Sequence, residues 1–334
     1  HTAEATQNTF SDTYHNISYN SIISANPLRM KIRVLNSVEW EAILKEVPSV
    51  TFFERPVWYR IWAQYLTART STFLIDDDIL VTLLDLKGAK GLIKFRNSGP
   101  AGTYSNLQSL SQSYMSAAKL NQIIAKLKIS HIRLSPYYDI EKTASAVLDH
   151  TTRVLNLLLT DDPRIHWSRN HLRQLRKARS GSIEIRKATQ EDWLSYYKIY
   201  KTFIKLKGDS AGNRYNYHLF TYFCQLPDHD CTLWVAVDDA RVVAGKIVFY
   251  QGTHAVEWHG TAVSDAAQQG VNQLLTYDIL VDAKTRGISL YDFNPSGGHS
   301  TVEGFKSKFG ASSMLCPIIK NYSLLQQWYL RYVR

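Results

Sequence analysis

Three cysteines are all that this 334-residue chain carries, Cys224, Cys231 and Cys316. Their odd number argues against a disulfide framework, and their spacing matches no zinc pattern. Each sits in apolar or loop context, where a cysteine serves as a small buried hydrophobe rather than a nucleophile. A reducing, cytoplasmic location fits. No stretch reaches the roughly 18 consecutive apolar residues of a membrane-spanning helix, and no signal-peptide pattern is present. The expectation is no transmembrane segment and, at most, peripheral contact with the inner face of a membrane. The chain begins with His1 rather than Met, and residues 1–29 read as a polar extension set apart from the fold.

What is present is globular. Apolar residues make up 45% and charged residues 20%, enough for a sizeable core. The length suggests two domains rather than one. The formal net charge is +10. It is concentrated: Arg164, Arg169, Arg173, Arg176, Lys177, Arg179, Arg186 and Lys187 fall in one short window. Such clustering points to an anionic partner, whether nucleic acid, nucleotide-linked substrate or membrane surface.

An internal repeat supports two copies of one domain. KIRVLNSVEW (31–40) parallels EIRKATQEDW (184–193). In both, Ile-Arg lies in a strand, a cap-competent residue follows, and a tryptophan falls eight positions after the isoleucine. Asn36 with Glu39, and Thr189 with Asp192, read as helix starts. In the first copy, the pattern predicts helices over 38–45, 56–65 and 113–127. Strands are predicted over 72–75, 79–85, 91–95, 132–134 and 153–159. A basic helix over 162–180 follows, with acidic residues and Pro163 at its start. The second copy predicts strands over 182–186, 232–238, 242–250, 255–261 and 289–293, and helices over 191–205, 216–224 and about 270–285. The expected division is an extension (1–29), a first domain (30–160), a linking helix (161–181) and a second domain (182–334) carrying the site.

The most informative stretch is LYDFNPSGG (290–298) followed by EGFKSKFG (303–310). A strand delivers Asp292 into a glycine-containing loop, whose backbone N–H groups can approach an acyl or phosphate group closely. A lysine follows on a segment anchored by Phe305 and Phe309. This run resembles the C-terminal signature of the Fem-type transferases and their relatives in the GNAT acyltransferase superfamily. WSRNHLRQLRKARSG (167–181) resembles the family's basic helix, and RYNYHLF (214–220) its arginine-led segment opening a helix of the second domain. The resemblance is good from 167 to 310 and fainter from 31 to 159. It implies a mixed α/β fold of tandem GNAT-like domains.

Through that resemblance, Lys306 and Phe305 inherit contact with the acyl donor end. Chemically, a fixed positive charge beside the tetrahedral oxyanion of aminolysis lowers the barrier. Asp292 alternates with Tyr291, so the two point to opposite faces. Asp292 either orients the incoming amine or bonds the turn that follows, the commoner role for Asp. The family match gives Arg214 the acceptor's phosphates, which arginine binds in a bidentate fork. Arg60 lies near a second phosphate-binding cation of the family, and Tyr291, Gly297 and Gly298 complete the substrate-binding set. Gln269, Gly270 and Asn272 stand where acetyl-CoA-dependent GNAT enzymes bind pyrophosphate at a helix N-terminus. Ala267 and Asn272 depart from that pattern, which disfavours a CoA thioester and suits a donor of the aminoacyl-tRNA kind. His259 shares a strand face with Glu257 near the expected cleft; a lone histidine on a strand is more often structural than a general base.

The expected activity is transfer of an aminoacyl or acyl group onto an amine of a nucleotide- or lipid-linked cell-envelope precursor, as in peptidoglycan assembly. Neither metal nor bound cofactor is needed. The donor would be aminoacyl-tRNA, with acyl-CoA or an acyl-carrier protein as the alternative. A non-catalytic RNA-binding protein on the same fold is a third reading.

Overall fold

A computed structural model describes residues 30–47, 50–141, 147–148, 150–208 and 214–332. Two sheets carry the chain. The first begins β1 (Ile32–Leu35), β2 (Arg69–Ile75), β3 (Ile79–Gly88), β4 (Ile93–Ser98), and β5 (Leu107–Ser109) pairs with the far end of β3. It continues through β6 (His131–Arg133) and ends with β7 (Val147–Leu148). The second holds β8 (Thr151–Asn156), β9 (Glu184–Lys187), β10 (Cys231–Asp238), β11 (Arg241–Gln251), β12 (His254–Ala262), β13 (Leu290–Asp292) and β14 (Ser312–Leu315). β15 (Ile318–Lys320) returns to the first sheet.

The repeat read from the sequence is real at the level of topology. β1-β2-β3-β4 are joined by antiparallel pairs and β4-β6 by a parallel one. β9-β10-β11-β12 and β12-β13 repeat this order. α1 (Ser37–Glu46) is capped by Asn36 in a full capping box with Glu39. α5 (Asp192–Lys207) starts after Thr189, whose N–H and hydroxyl both donate to Asp192. Trp40 and Trp193 are both buried in the core.

The domain boundaries expected from the sequence do not divide the sheets. The strand around 153–159 was assigned to the first copy, yet β8 sits in the second sheet between β13 and β14. In exchange β15 leaves the second half and sits between β6 and β7. Each half thus lends a strand to its partner. Linear reading cannot see this, because the pattern of a strand says which face is apolar but not which edge it joins. The basic helix is also shorter than expected. α4 is Arg169–Arg179, and Ser168 rather than the acidic 161–162 pair is its cap, accepting from His171 N–H.

Three apolar layers result. α3 (Ala117–Leu127) covers one face of the first sheet. α4 and α8 (Val271–Thr285) cover one face of the second. Between the sheets, α2 (Pro56–Tyr65), α5 and α6 (Tyr217–Cys224) form an aromatic core in which Trp58 stacks on Phe223 and Phe52 on Phe249. Side chains of both halves share this core, so the two domains fold against one another rather than as independent units. The shorter helices are α7 (Ser264–Gln268), α9 (Ser300–Ser307) and α10 (Leu324–Tyr332).

Candidate active site

Strand geometry makes the cleft. β12 and β13 pair in parallel only as far as Val256 and Asp292. Beyond this, β12 runs on to Ala262 while the other chain turns away, and the space between is left open. A bulge in β12 adds to the divergence. Ile247 faces His259 and Val248 faces Glu257, so Trp258 is the extra residue. Bulges re-aim side chains where strands must part. The cleft holds about 390 Å³. It is lined by Lys246, the segment 257–262, Phe293, Asn294 and Pro295, Asn272 at the start of α8, and Phe305 and Lys306 of α9.

Lys306 is 8% exposed, and its ammonium donates to the Asn294 carbonyl at 2.7 Å. Burial lowers its pKa, while Glu257, Asp292 and Glu303 work to raise it. Phe305 and Phe309 hold α9 as expected: their rings meet edge to face, and Phe309 stacks on Phe293. Asn294 itself adopts a left-handed backbone, φ 61°, a conformation that L-residues rarely keep except at functional or turn positions. Its buried Oδ1, and the buried Oγ1 of Thr261, have no hydrogen-bond partner among the described residues. Both residues line the cleft, and a buried acceptor left unpaired is costly unless a ligand completes it.

Lys246 was missed in the sequence. It sits mid-strand in VVAGKIVFY (242–250), a lone lysine in an apolar run, and that anomaly was the available signal. Its Nζ bonds Glu257 at 2.8 Å and Thr276 at 2.8 Å. Glu257 also accepts from the Tyr291 hydroxyl at 2.9 Å. Tyr291 therefore braces Glu257 from the core and does not itself bind substrate.

His259, read as more often structural, does line the cleft. Burial holds its pKa down at about 4, so it is neutral at pH 7. Its Nδ1 lies 2.6 Å from the Tyr196 hydroxyl, and that hydroxyl is 3.5 Å from the His259 carbonyl. The short contact is a hydrogen bond in either tautomer, with Tyr196 as donor or as acceptor. In the tautomer with the proton on Nδ1, Nε2 carries a lone pair.

Several expected residues lie elsewhere. Asp292 is fully buried and accepts from Tyr104, Tyr137, Thr152 and the Asn294 N–H, all at 2.6–2.7 Å. Burial pushes its pKa up, but the bonds and nearby His254 outweigh it and hold the carboxylate below its usual range. It fastens the turn and ties three segments together, the second of the two roles read from the sequence, and it does not line the cleft. Arg60 is exposed, pairs with Glu41 at 3.0 Å, and lines a separate cavity of about 330 Å³ with Lys45, Arg55 and, from the second sheet, Gln251. Gly297 and Gly298 form an exposed turn with φ 61° and 84° and do not line the cleft. Arg214 lines a separate cavity of about 480 Å³ with Lys201, Lys205, Tyr197 and Tyr200. Its guanidinium donates to the Gly208 carbonyl at 2.8 Å. The Tyr200 ring, 5.0 Å from that of His259, stands between this cavity and the cleft.

The presumed donor loop is divided. Asn272 reaches the cleft, but Gln269 is exposed on the end of α7. Gly270, with φ 86°, packs against α4; a Cβ there would lie 2.3 Å from the Gln174 carbonyl. This glycine lets two helices touch rather than cradling pyrophosphate. The cysteines behave as read from the sequence. All three are free, and burial pushes the Cys316 thiol up to about 11.

Residues 165–307 match the acetyltransferase (GNAT) domain model, from just before α4 to the end of α9. FemX superposes with a TM-score of 0.62 at 12% identity, over 91% of this chain and 100% of FemX. The chain has the Fem-type tandem GNAT fold. The C-terminal domain of a putative lysylphosphatidylglycerol synthetase from Agrobacterium fabrum follows at 0.54 and 10% identity, over 88% of this chain and 97% of that one. A tandem GNAT protein from the clavulanic acid biosynthesis pathway gives 0.50 at 9% identity, over 88% and 99%. No curated protein matches the chain in sequence. Among the described residues no helix is long and apolar enough to cross a membrane, and no cluster of His, Cys, Asp and Glu is arranged to hold a metal.

Proposed function

We propose that the chain is an acyltransferase that forms an amide bond, moving an aminoacyl group from an aminoacyl-tRNA onto an amine of a cell-envelope precursor. The observation that carries this reading is the presence, in one cleft, of a fixed ammonium and an imidazole held through Nδ1 by Tyr196. The amine nitrogen attacks the ester carbonyl, and negative charge gathers on the carbonyl oxygen beside Lys306. His259 Nε2 takes the proton released by the attacking nitrogen and returns it to the departing ribose oxygen as the C–O bond breaks. Before attack, the unpaired Asn294 Oδ1 and Thr261 Oγ1 receive the amine N–H groups. The Lys201–Lys205–Arg214 cavity takes the acceptor's anionic part. An aminoacyl lipid in the name of one structural neighbour is in keeping with an envelope acceptor.

α4 favours the RNA donor over acyl-CoA. It packs at the cleft: His171 Nε2 lies 3.2 Å from the Phe305 carbonyl, and Lys177 donates to the Gln268 carbonyl at 3.1 Å. Arg169, Arg173, Arg176 and Lys177 are exposed on it, and none pairs with a carboxylate among the described residues. A phosphodiester backbone suits such a stripe, while Gln174 closes the approach to Gly270. The test is incubation with charged tRNA, acetyl-CoA and long-chain acyl-CoA, each with candidate amines. Amide product from charged tRNA alone is expected. Turnover with a CoA thioester would transfer the proposal to the alternative donor. Salt-sensitive RNA binding with no product from any donor would leave only a binding protein.

A further inference from the structure

We propose that α10, together with the β3–β4 hairpin, is a docking face for an anionic lipid bilayer. α10 lies across the first sheet and lines no part of the cleft. Gln326 donates to the Lys94 carbonyl, and the Tyr329 ring fills the space above Gly88 and packs on Phe95. The helix therefore runs toward the hairpin tip. Its inner side is accounted for. The outer side carries Leu324, Leu325, Trp328 and Tyr332, exposed by 84%, 57%, 55% and 64%. Leu92 at the hairpin tip is 85% exposed. Leu324, Trp328 and Tyr332 are spaced four apart and so share one face. A cluster of large apolar side chains this open marks an interaction site.

The charge around the cluster selects the occupant. Arg331 lies over the Tyr332 ring, Lys90 is exposed at the hairpin tip beside Leu92, and neither α10 nor the loop 89–92 carries a carboxylate. An anionic surface complements these two cations. Tryptophan and tyrosine beside leucine, with lysine and arginine at the rim, match the layered polarity of a membrane interface. A protein partner would need acidic groups to meet Lys90 and Arg331 and an apolar patch to meet the helix; a bilayer containing anionic lipid supplies both.

Trp328 makes the test direct, because the other seven tryptophans are buried. Vesicles of phosphatidylcholine with and without phosphatidylglycerol would be mixed with the full chain, and flotation would be read together with quenching by lipids brominated on the acyl chain. Expected are flotation with phosphatidylglycerol vesicles only, quenching of the Trp328 emission, and release at high salt. Lys90→Gln should weaken partitioning about fivefold, one cation's share at a charged surface. Leu325→Ser with Trp328→Ser should abolish flotation while leaving the melting temperature unchanged. No flotation, or flotation that survives the double substitution, overturns the proposal. So does protection of Trp328 in a dimer, or by residues 1–29 as shown by their removal.

Discussion

Lys306→Ala separates the two jobs its ammonium performs. In the fold it donates to the buried Asn294 carbonyl at 2.7 Å, a charge-assisted bond with a gross contribution of about 1.5–3 kcal/mol. Burying the ammonium costs part of that back, as its lowered pKa shows. The net loss of stability should be about 1–2 kcal/mol, larger than the negligible effect expected for a solvated lysine. In the reaction it faces the oxyanion, and loss of one such donor slows a reaction about 10²–10³-fold. Lys306→Met keeps the apolar stem and should restore most of the stability and none of the rate. Lys308→Ala is the control: that side chain is exposed, and its hydrogen bonds are made by the backbone, the carbonyl accepting from the Ser168 N–H and the N–H donating to the Phe305 carbonyl. Rate should also fall on the alkaline side, as pH rises through the lowered Lys306 pKa and the ammonium is lost. The measurements are single-turnover transfer from charged tRNA and denaturant midpoints of the same preparations. Rates for Lys306→Met and Lys308→Ala that both stay within a few fold of the parent would refute the reasoning, whatever the midpoints show.

The remaining predictions concern neighbours of the cleft. Asp292→Asn should act on stability first, by about 3 kcal/mol, because Tyr104, Tyr137 and Thr152 lose an ionised acceptor; an unchanged unfolding midpoint with abolished transfer would return Asp292 to the reacting groups. Gly270→Ala should destabilise by at least about 1–3 kcal/mol through its left-handed backbone alone, with the Gln174 clash added, and calorimetry should show no low-micromolar acetyl-CoA binding to the parent. Acid should weaken the fold between pH 6.5 and 4. His131, His171 and His259 are held neutral, each with pKa about 4 because of burial. The unfolded chain takes up their protons near 6.5 and the folded chain does not, so stability is full above 6.5 and is lost as pH falls toward 4. His171→Gln should flatten part of that slope, and a melting temperature independent of pH over this window would contradict the burial of all three.

How far the sequence carried the structure depends on the range of the interaction involved. The repeat was legible because capping is local: Asn36 with Glu39, and Thr189 with Asp192, are decided within one helical turn. The exchange of β8 and β15 was not, since strand 153–159 is equally apolar in either sheet and only three-dimensional closure chooses its edge. The same division runs through the site. Lys306 and Phe305 were legible as part of a motif that spans one loop and one helix. Lys246 required knowing that β11 is buried on both faces, after which a lysine in its middle must have a partner, and Glu257 is that partner. His259 required the bulge at Trp258, which turns a strand residue toward the cleft and sets it against Tyr196.

Asp292 is the residue for which the sequence left two roles open. Its place after a strand and before a glycine loop is equally that of a catalytic acid and of a turn fastener, and the local sequence is the same for both. Three hydroxyls from distant segments decide between them. Tyr104 and Tyr137 come from the first domain and Thr152 from the exchanged strand β8. Each is far from position 292 in sequence, and together they consume the acceptor capacity that a proton transfer would need. Strand exchange and the loss of Asp292 as a catalyst are therefore one fact. Lending β8 to the second sheet brings Thr152 against Asp292, locks the loop that follows, and so fixes the Asn294 carbonyl onto which Lys306 is moored.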